Sequence, residues 1–233
     1  MQQLKGKKAV VSGGGSGIGY AIASKLSEIG VQTAIADIQP VSVQPALFAY
    51  QCDVSSGPAV DELFAQVQQQ LGQPDILVCC AGRGIHEKLV EGDPEKWRQI
   101  IDVNIMGALR LVRAFVPGML ASGGGHVVFL SSVAAQQAFP YGGVYAATKA
   151  ALEVVAETLR QEVLPTIRVT VVAPGVTDTA FFENTVSGFH TAADIGYGAL
   201  SPDNVADAVL FALQQPEGVS VNRITIRPNS QPF

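Results

Sequence analysis

VVSGGGSGIG, residues 10–19, decides how the rest of the chain is read. An apolar run stops in a glycine-rich loop, and the loop opens into an amphipathic stretch. Glycines let a backbone turn tightly and approach a ligand closely. A helix that starts there presents free N–H groups and the positive end of its dipole, a place for phosphate. Gly13, Gly17 and Gly19 give G-x-x-x-G-x-G rather than the commoner G-x-G-x-x-G. Such a motif is weak alone, but this one sits between a strand and a helix, as phosphate binding requires.

The same alternation runs outward to the end of the chain. Short apolar runs occupy 7–13, 33–37, 47–53, 75–82, 126–132, 167–175 and 223–228. They lack polar alternation, which is how strands buried on both faces read. Helical stretches lie between them at 17–29, 57–71, 94–120, 143–163 and 202–214. The pattern predicts an α/β Rossmann fold, a doubly wound seven-stranded parallel sheet with helices on both faces. No repeat or linker breaks residues 1–233, so one domain is expected. Between Asp37 and Leu47 lie only the nine residues IQPVSVQPA. A parallel crossover usually carries a helix, and two prolines oppose one. An extended loop is expected there, with one sheet face thinly covered at that edge.

Composition narrows the function classes. Hydrophobic residues make up 48% and charged residues 15%, with a formal charge of −5. No Lys/Arg-rich run is present, which argues against nucleic acid. No apolar run reaches membrane-spanning length, and the first residues do not read as a signal peptide. Three cysteines, with Cys79 and Cys80 adjacent, make no disulfide framework. A reducing, cytoplasmic setting is the natural reading.

The second strand ends at Asp37, about 20 residues beyond the glycine loop. A carboxylate there can accept hydrogen bonds from ribose hydroxyls and repel a 2′-phosphate. No Lys or Arg lies between Val31 and Tyr50, and Ser16 is uncharged. NAD(H) is therefore favoured over NADP(H). Further on, VYAATKAAL (144–152) sets Tyr145 and Lys149 four residues apart, on one face of a helix. A nearby ammonium favours the phenolate and is expected to lower the tyrosine pKa from about 10.

Together these stretches resemble the short-chain dehydrogenase/reductase family over nearly the whole length. The matching pieces are SGGGSGIG (12–19), CDV (52–54), CCAG (79–82), DVNIMG (102–107), FLSS (129–132), YAATK (145–149) and PGVTDT (174–179). YxxxK alone arises by chance; the ordered ensemble is specific. The resemblance implies hydride transfer between a secondary alcohol and a ketone. Tyr145 would be the acid/base, Lys149 would assist it and hold the nicotinamide ribose, and Ser132 would bond the substrate oxygen. Ser131 is the competitor, but its side chain should point to the opposite face. Asn104 matches an asparagine associated with a proton-relaying water; the alternative role is a capping or kinking amide. The cofactor contacts carried over are Gly13, Ser16, Gly17, Ile18 and Gly19 in the loop, then Asp37, Asp53 and Val54. Ala81 and Gly82 follow, with Tyr145 and Lys149, then Pro174, Gly175, Val176, Thr177 and Thr179. Asp53 would meet the adenine amino group, or else cap the helix at 57–71.

The chain departs from the family at C-C-A-G, where N-N-A-G is usual. Cysteine cannot replace amide hydrogen bonds, which leaves local rigidity in question. Cys79 and Cys80 read as packing residues, and two thiols alone do not complete a metal site. His126 reads as structural. Pocket walls are expected from 83–94, 133–144 and 177–200. Phe139, Tyr141, Phe181, Phe182 and Phe189 suggest an apolar pocket, with Arg83, His86, Gln136 and His190 as polar candidates. The C-terminal part resembles the serine/3-hydroxy acid dehydrogenase subgroup. That subgroup commonly prefers NADP(H), against the reading of Asp37. A non-catalytic NAD-binding sensor or scaffold is the alternative. So is a related subtype: a dihydrodiol dehydrogenase, a 3-oxoacyl reductase or an epimerase. Alanine-rich apolar faces on 94–120 and 143–163 suggest a homotetramer, which the resemblance implies as the family's usual assembly, or a homodimer.

Overall fold

Seven parallel strands form one sheet in the computed structural model, which describes residues 4–40, 47–188 and 195–232. The strands are β1 (Lys8–Ser12), β2 (Gln32–Asp37), β3 (Leu47–Gln51), β4 (Ile76–Cys79), β5 (Gly125–Leu130), β6 (Ile167–Pro174) and β7 (Arg223–Ile226). Their order is β3-β2-β1-β4-β5-β6-β7. The direction of winding reverses between β1 and β4, where Val10 pairs with Ala34 on one side and Leu77 on the other. A crevice opens at the carboxyl ends of strands at such a reversal.

The helices are α1 (Gly17–Glu28), α2 (Gly57–Gln70), α3 (Pro94–Ile101), α4 (Gly107–Ala121), α5 (Gly143–Glu162) and α6 (Pro202–Leu213). Helices α1 and α6 cover one face, where Ile22, Leu26, Val205 and Val209 pack on Val11 and Val78. Helices α2, α4 and α5 cover the other, where Leu63, Leu111, Phe115 and Leu152 pack on Val10, Leu77 and Phe129. Each fully buried side chain of this size contributes roughly 2 kcal/mol relative to exposure. The central strands are buried on both faces, as their sequences require. Strand β3 is not. Phe48 and Tyr50 pack on the core, while Ala49 and Gln51 on its other face are exposed. That is the thin edge expected from the short crossover, whose residues 41–46 lie outside the described ones.

One helix differs from its sequence reading. The stretch 94–120 is not one uniform α-helix. Residues Asp102–Met106 form a π-turn between α3 and α4, and Gly107 N–H bonds the Asp102 carbonyl five residues back. Helical φ/ψ values persist through it, so the turn leaves no glycine or proline mark in the sequence. π-turns tend to occur at functional sites, and Asn104 sits in the middle of this one.

Candidate active site

The glycine loop is shaped by close approach. Gly13 has φ +64°, and a Cβ there would lie 2.8 Å from the Ala81 Cα. A Cβ on Gly19 would lie 2.1 Å from the Gly13 carbonyl oxygen. Gly13 N–H bonds the Ala36 carbonyl at 2.7 Å, and Gly15 N–H bonds Asp37 Oδ2 at 2.9 Å. The Asp37 carboxylate is thus fixed at the end of β2 facing the loop. Its Oδ1 accepts from Gln39 N–H at 3.1 Å. Each carboxylate oxygen keeps a further lone pair for a hydroxyl donor. Ser16 makes no side-chain cap on α1, and the first turn carries no acidic residue. The first N–H groups of α1 are therefore left to an anion. These features fit the pyrophosphate and adenosine ribose of a dinucleotide.

A cleft of about 970 Å³ runs from this loop across the carboxyl ends of the strands. It is lined by Gly13, Ser16, Gly17, Ile18, Gly19 and Asp37 at one end. Asp53, Val54, Ala81 and Gly82 line its middle, and Ser132, Tyr145, Lys149 and the turn from Pro174 to Thr179 its far end. Asp53 does not cap α2. Ser56 does, accepting from Ala59 N–H at 3.4 Å, while Asp53 accepts from Ser55 N–H and Oγ–H at 2.9 and 2.7 Å. Thr177 is buried, and its hydroxyl donates to the Gly175 carbonyl at 3.0 Å. Thr179 Oγ1 accepts from Phe181 N–H at 3.2 Å, and its methyl group faces Gly17.

Lys149 is buried, and its ammonium donates to the Leu130 carbonyl at 2.8 Å. Its Nζ lies 5.8 Å from the centre of the Tyr145 ring. The expected lowering of the tyrosine pKa is not what the protein alone shows. Burial pushes the Tyr145 phenol up to about 12, and a hydrogen bond from Ser132 opposes only part of this. Burial also brings Lys149 down to about 8, with nearby Cys80 acting the other way. Burial disfavours both ions, and it is the largest influence on each of them.

The two serines separate as the strand alternation requires. Ser131 also borders the cleft, but its hydroxyl is engaged, donating to Glu153 at 2.9 Å, and Glu153 is paired with Arg223 at 2.6 Å. Ser132 faces the cleft and accepts from Ala134 N–H at 3.1 Å. Asn104 is buried and braces three segments. Its Nδ2 donates to the Arg83 carbonyl at 3.0 Å and to Thr148 Oγ1 at 3.1 Å, while Oδ1 accepts from Arg83 N–H at 2.9 Å. Gly82 lies between this amide and Lys149, since a Cβ there would be 3.3 Å from Asn104 Oδ1 and 3.5 Å from Lys149 Nζ.

The cysteines pack, as read. Burial pushes both thiols up to about 12. The rigidity left in question comes from β1. Ser12 Oγ accepts from both Cys80 N–H and Ala81 N–H, at 3.1 and 3.2 Å, and donates to the Val78 carbonyl at 3.2 Å. At the far end of the cleft, the Phe181 ring meets the Tyr145 ring at 5.7 Å, tilted by 57°. The loop carrying it is tied down at Glu87, which accepts from Ser187 Oγ at 2.5 Å and Trp97 Nε1 at 3.0 Å. These bonds, Ser187 foremost, hold the Glu87 carboxyl below the usual carboxylate range. Arg83, His86, Phe139, Tyr141, Phe181 and Phe182 line the cleft, whereas Gln137 lines it instead of Gln136. The 3₁₀ turn Val133–Ala135 sets which of the two faces inward. Phe189 and His190 lie outside the described residues. Sequence reading missed Gln231 as a lining residue. Nothing in its tail sequence signals a contact 55 positions away.

The strand order and the glycine loop define a dinucleotide-binding fold. Comparison with known proteins narrows it. The family model described as short chain dehydrogenase matches residues 7–188, and the chain belongs to that family of oxidoreductases. An uncharacterized oxidoreductase of Staphylococcus aureus (strain MRSA252) is 36% identical over 237 residues, spanning 98% of this chain and 100% of that protein. Serine dehydrogenase, solved in a closed form with NADP+, has a TM-score of 0.86 at 28% identity, covering 94% of this chain and 93% of that one. It accords with the subgroup resemblance of the C-terminal part. A 3-ketoacyl-(acyl-carrier-protein) reductase from Brucella melitensis, solved with NADH, has a TM-score of 0.88 at 26% identity, covering 97% and 99%. Both kinds of nicotinamide cofactor thus occur among the neighbours. Among the described residues no helix is long and apolar enough to cross a membrane.

Proposed function

We propose that the protein is an NAD(H)-dependent oxidoreductase that interconverts a secondary alcohol and a ketone. The observation that carries this is the gathering of Ser132, Tyr145 and Lys149 at the far end of the cleft whose other end is the glycine loop. A bound nicotinamide supplies the hydride acceptor or donor. Tyr145 exchanges the proton at the substrate oxygen, and Ser132 bonds that same oxygen. Lys149 favours the phenolate as it forms. Asn104 holds the Arg83 loop against α5 and so fixes the floor beneath Lys149. Phe139, Phe181 and Phe182 favour a substrate with an apolar flank.

Asp37 supports NAD(H) over NADP(H), because its carboxylate is held toward the loop by Gly15 and Gln39 N–H groups. Asp37→Asn removes the charge and keeps one acceptor oxygen, enough for Gly15 N–H, while the exposed Gln39 N–H turns to water. The ratio of kcat/KM for NADPH over NADH is expected to rise roughly tenfold or more, about the strength of a charged hydrogen bond. An unchanged ratio counts against the assignment. The functional test is turnover of both cofactors over a panel of ketones, secondary alcohols and hydroxy acids. Nucleotide binding without turnover favours a sensor or scaffold, and product analysis separates an epimerase or dihydrodiol dehydrogenase. The three free thiols suit a reducing cytoplasm. Exposed Ile101, Met106 and Val154 on the α3–α5 side support a homo-oligomer. A monomer by light scattering would sink that assembly.

A further inference from the structure

The turn after β6 is already in use. Gly175 N–H bonds the Ile226 carbonyl at 2.7 Å, which sets the end of β7 beside it. The chain then turns, with Gln231 N–H on the Pro228 carbonyl at 3.0 Å and the Ser230 hydroxyl on the Tyr197 carbonyl. This lays the Gln231 side chain across the turn. Its carboxamide oxygen accepts from Val176 N–H at 3.1 Å. Gly175 makes the room, since a Cβ there would sit 2.2 Å from that oxygen. Gln231 lines the same cleft as Ser132, Tyr145 and Val176.

A backbone N–H has one hydrogen, and it serves one carbonyl at full strength. The nicotinamide ring carries a carboxamide of the same kind as the glutamine side chain. We propose that Gln231 gates the nicotinamide half of the cofactor site. It occupies the Val176 N–H with its own carboxamide and gives that donor up when the nicotinamide carboxamide arrives. This rests on the reading above that a nicotinamide dinucleotide binds in the cleft, and it puts the nicotinamide at the far end, where this turn lines the cleft with Ser132, Tyr145 and Lys149. Gln231 is half-buried at the cleft wall, so water can satisfy its amide once it is released. The gate therefore opposes binding by the strength of one net hydrogen bond, and it acts at one end of the cofactor only.

The test compares NADH with ADP-ribose, which lacks the nicotinamide, by titration calorimetry. Gln231→Ala is expected to bind NADH roughly three- to tenfold more tightly than the wild type, with ADP-ribose unchanged. Gln231→Glu is expected to weaken NADH, because a charged acceptor holds Val176 N–H more firmly. The reduced ring is uncharged and gives that glutamate no compensating attraction. NADH affinity that falls in Gln231→Ala overturns the proposal, making the glutamine a support for the cofactor. So does an equal change for both ligands, or no change for NADH. A wild-type protein that binds neither nucleotide overturns the cofactor reading itself.

Discussion

Tyr145→Phe is expected to lower kcat by roughly a thousandfold while leaving folding in place. The substitution removes one oxygen and keeps the ring, so the contact with Phe181 at 5.7 Å survives. General acid–base catalysis contributes about 10²–10⁴ in rate, and no other hydroxyl can take this one's part. Ser132 is the nearest candidate, and its ordinary acidity is far too weak. The direction of the pH profile follows from burial. With the phenol pushed up to about 12, it is protonated at neutral pH, the form that donates to a carbonyl oxygen. Reduction should therefore persist to the acid side of neutrality. Alcohol oxidation needs the phenolate and should climb as pH rises above it. Steady-state kinetics in both directions check this. A Tyr145→Phe protein within tenfold of the wild-type kcat would remove the tyrosine from the mechanism.

The second large effect concerns stability. His126 on β5 is buried, and its Nε2 lies 2.7 Å from Thr170 Oγ1. Thr170 donates its hydroxyl proton to the Val221 carbonyl at 2.6 Å, so it accepts from the histidine. The imidazole is then neutral with its proton on Nε2. Burial, and after it the nearby Arg168 charge, bring its pKa down to about 3. A histidine in the unfolded chain takes up its proton near pH 6.5. Below that pH the unfolded state binds a proton that the folded state refuses. The stability is complete above about 6.5 and is lost progressively as pH falls toward 3. Between pH 6.5 and 5 the loss is on the order of 2 kcal/mol. Urea midpoints across that window check it. His126→Phe gives up the bond to Thr170, about 1 kcal/mol, but its midpoint should vary much less over the same window. Equal slopes in the two proteins would mean that His126 titrates normally.

These two sites differ in how far they could be read from sequence. The strand–loop–helix at 10–19 and the seven apolar runs carry the fold, because buried parallel strands leave a continuous apolar signature. Tyr145, Lys149 and Ser132 are legible because helix and strand periodicity dictate which side chains share a face. The state of Tyr145 is not legible. Spacing places the ammonium beside the phenol, but only the packed cleft shows that burial is the largest influence on it. Ser12 escaped notice as the residue that fixes the Cys80 loop, because its partners are backbone N–H groups, which carry no residue identity. Gln231 escaped for a similar reason: one side chain crosses from the tail to a backbone donor in the turn after β6. The histidine was readable as structural from its place at a strand start, but not its tautomer, which hangs on Thr170.

The π-turn at Asp102–Met106 has a genetic consequence. A π-turn is an α-turn that has absorbed one extra residue, so the helices on either side keep their faces toward the core. Losing one codon within it would let α3 run into α4 as a regular helix. Phe115 and Leu111 could stay in their places in the core, while Asn104 would leave its position between Arg83 and Thr148. A single in-frame deletion would thus take away the brace between the Arg83 loop and α5 while leaving the core packing nearly unchanged.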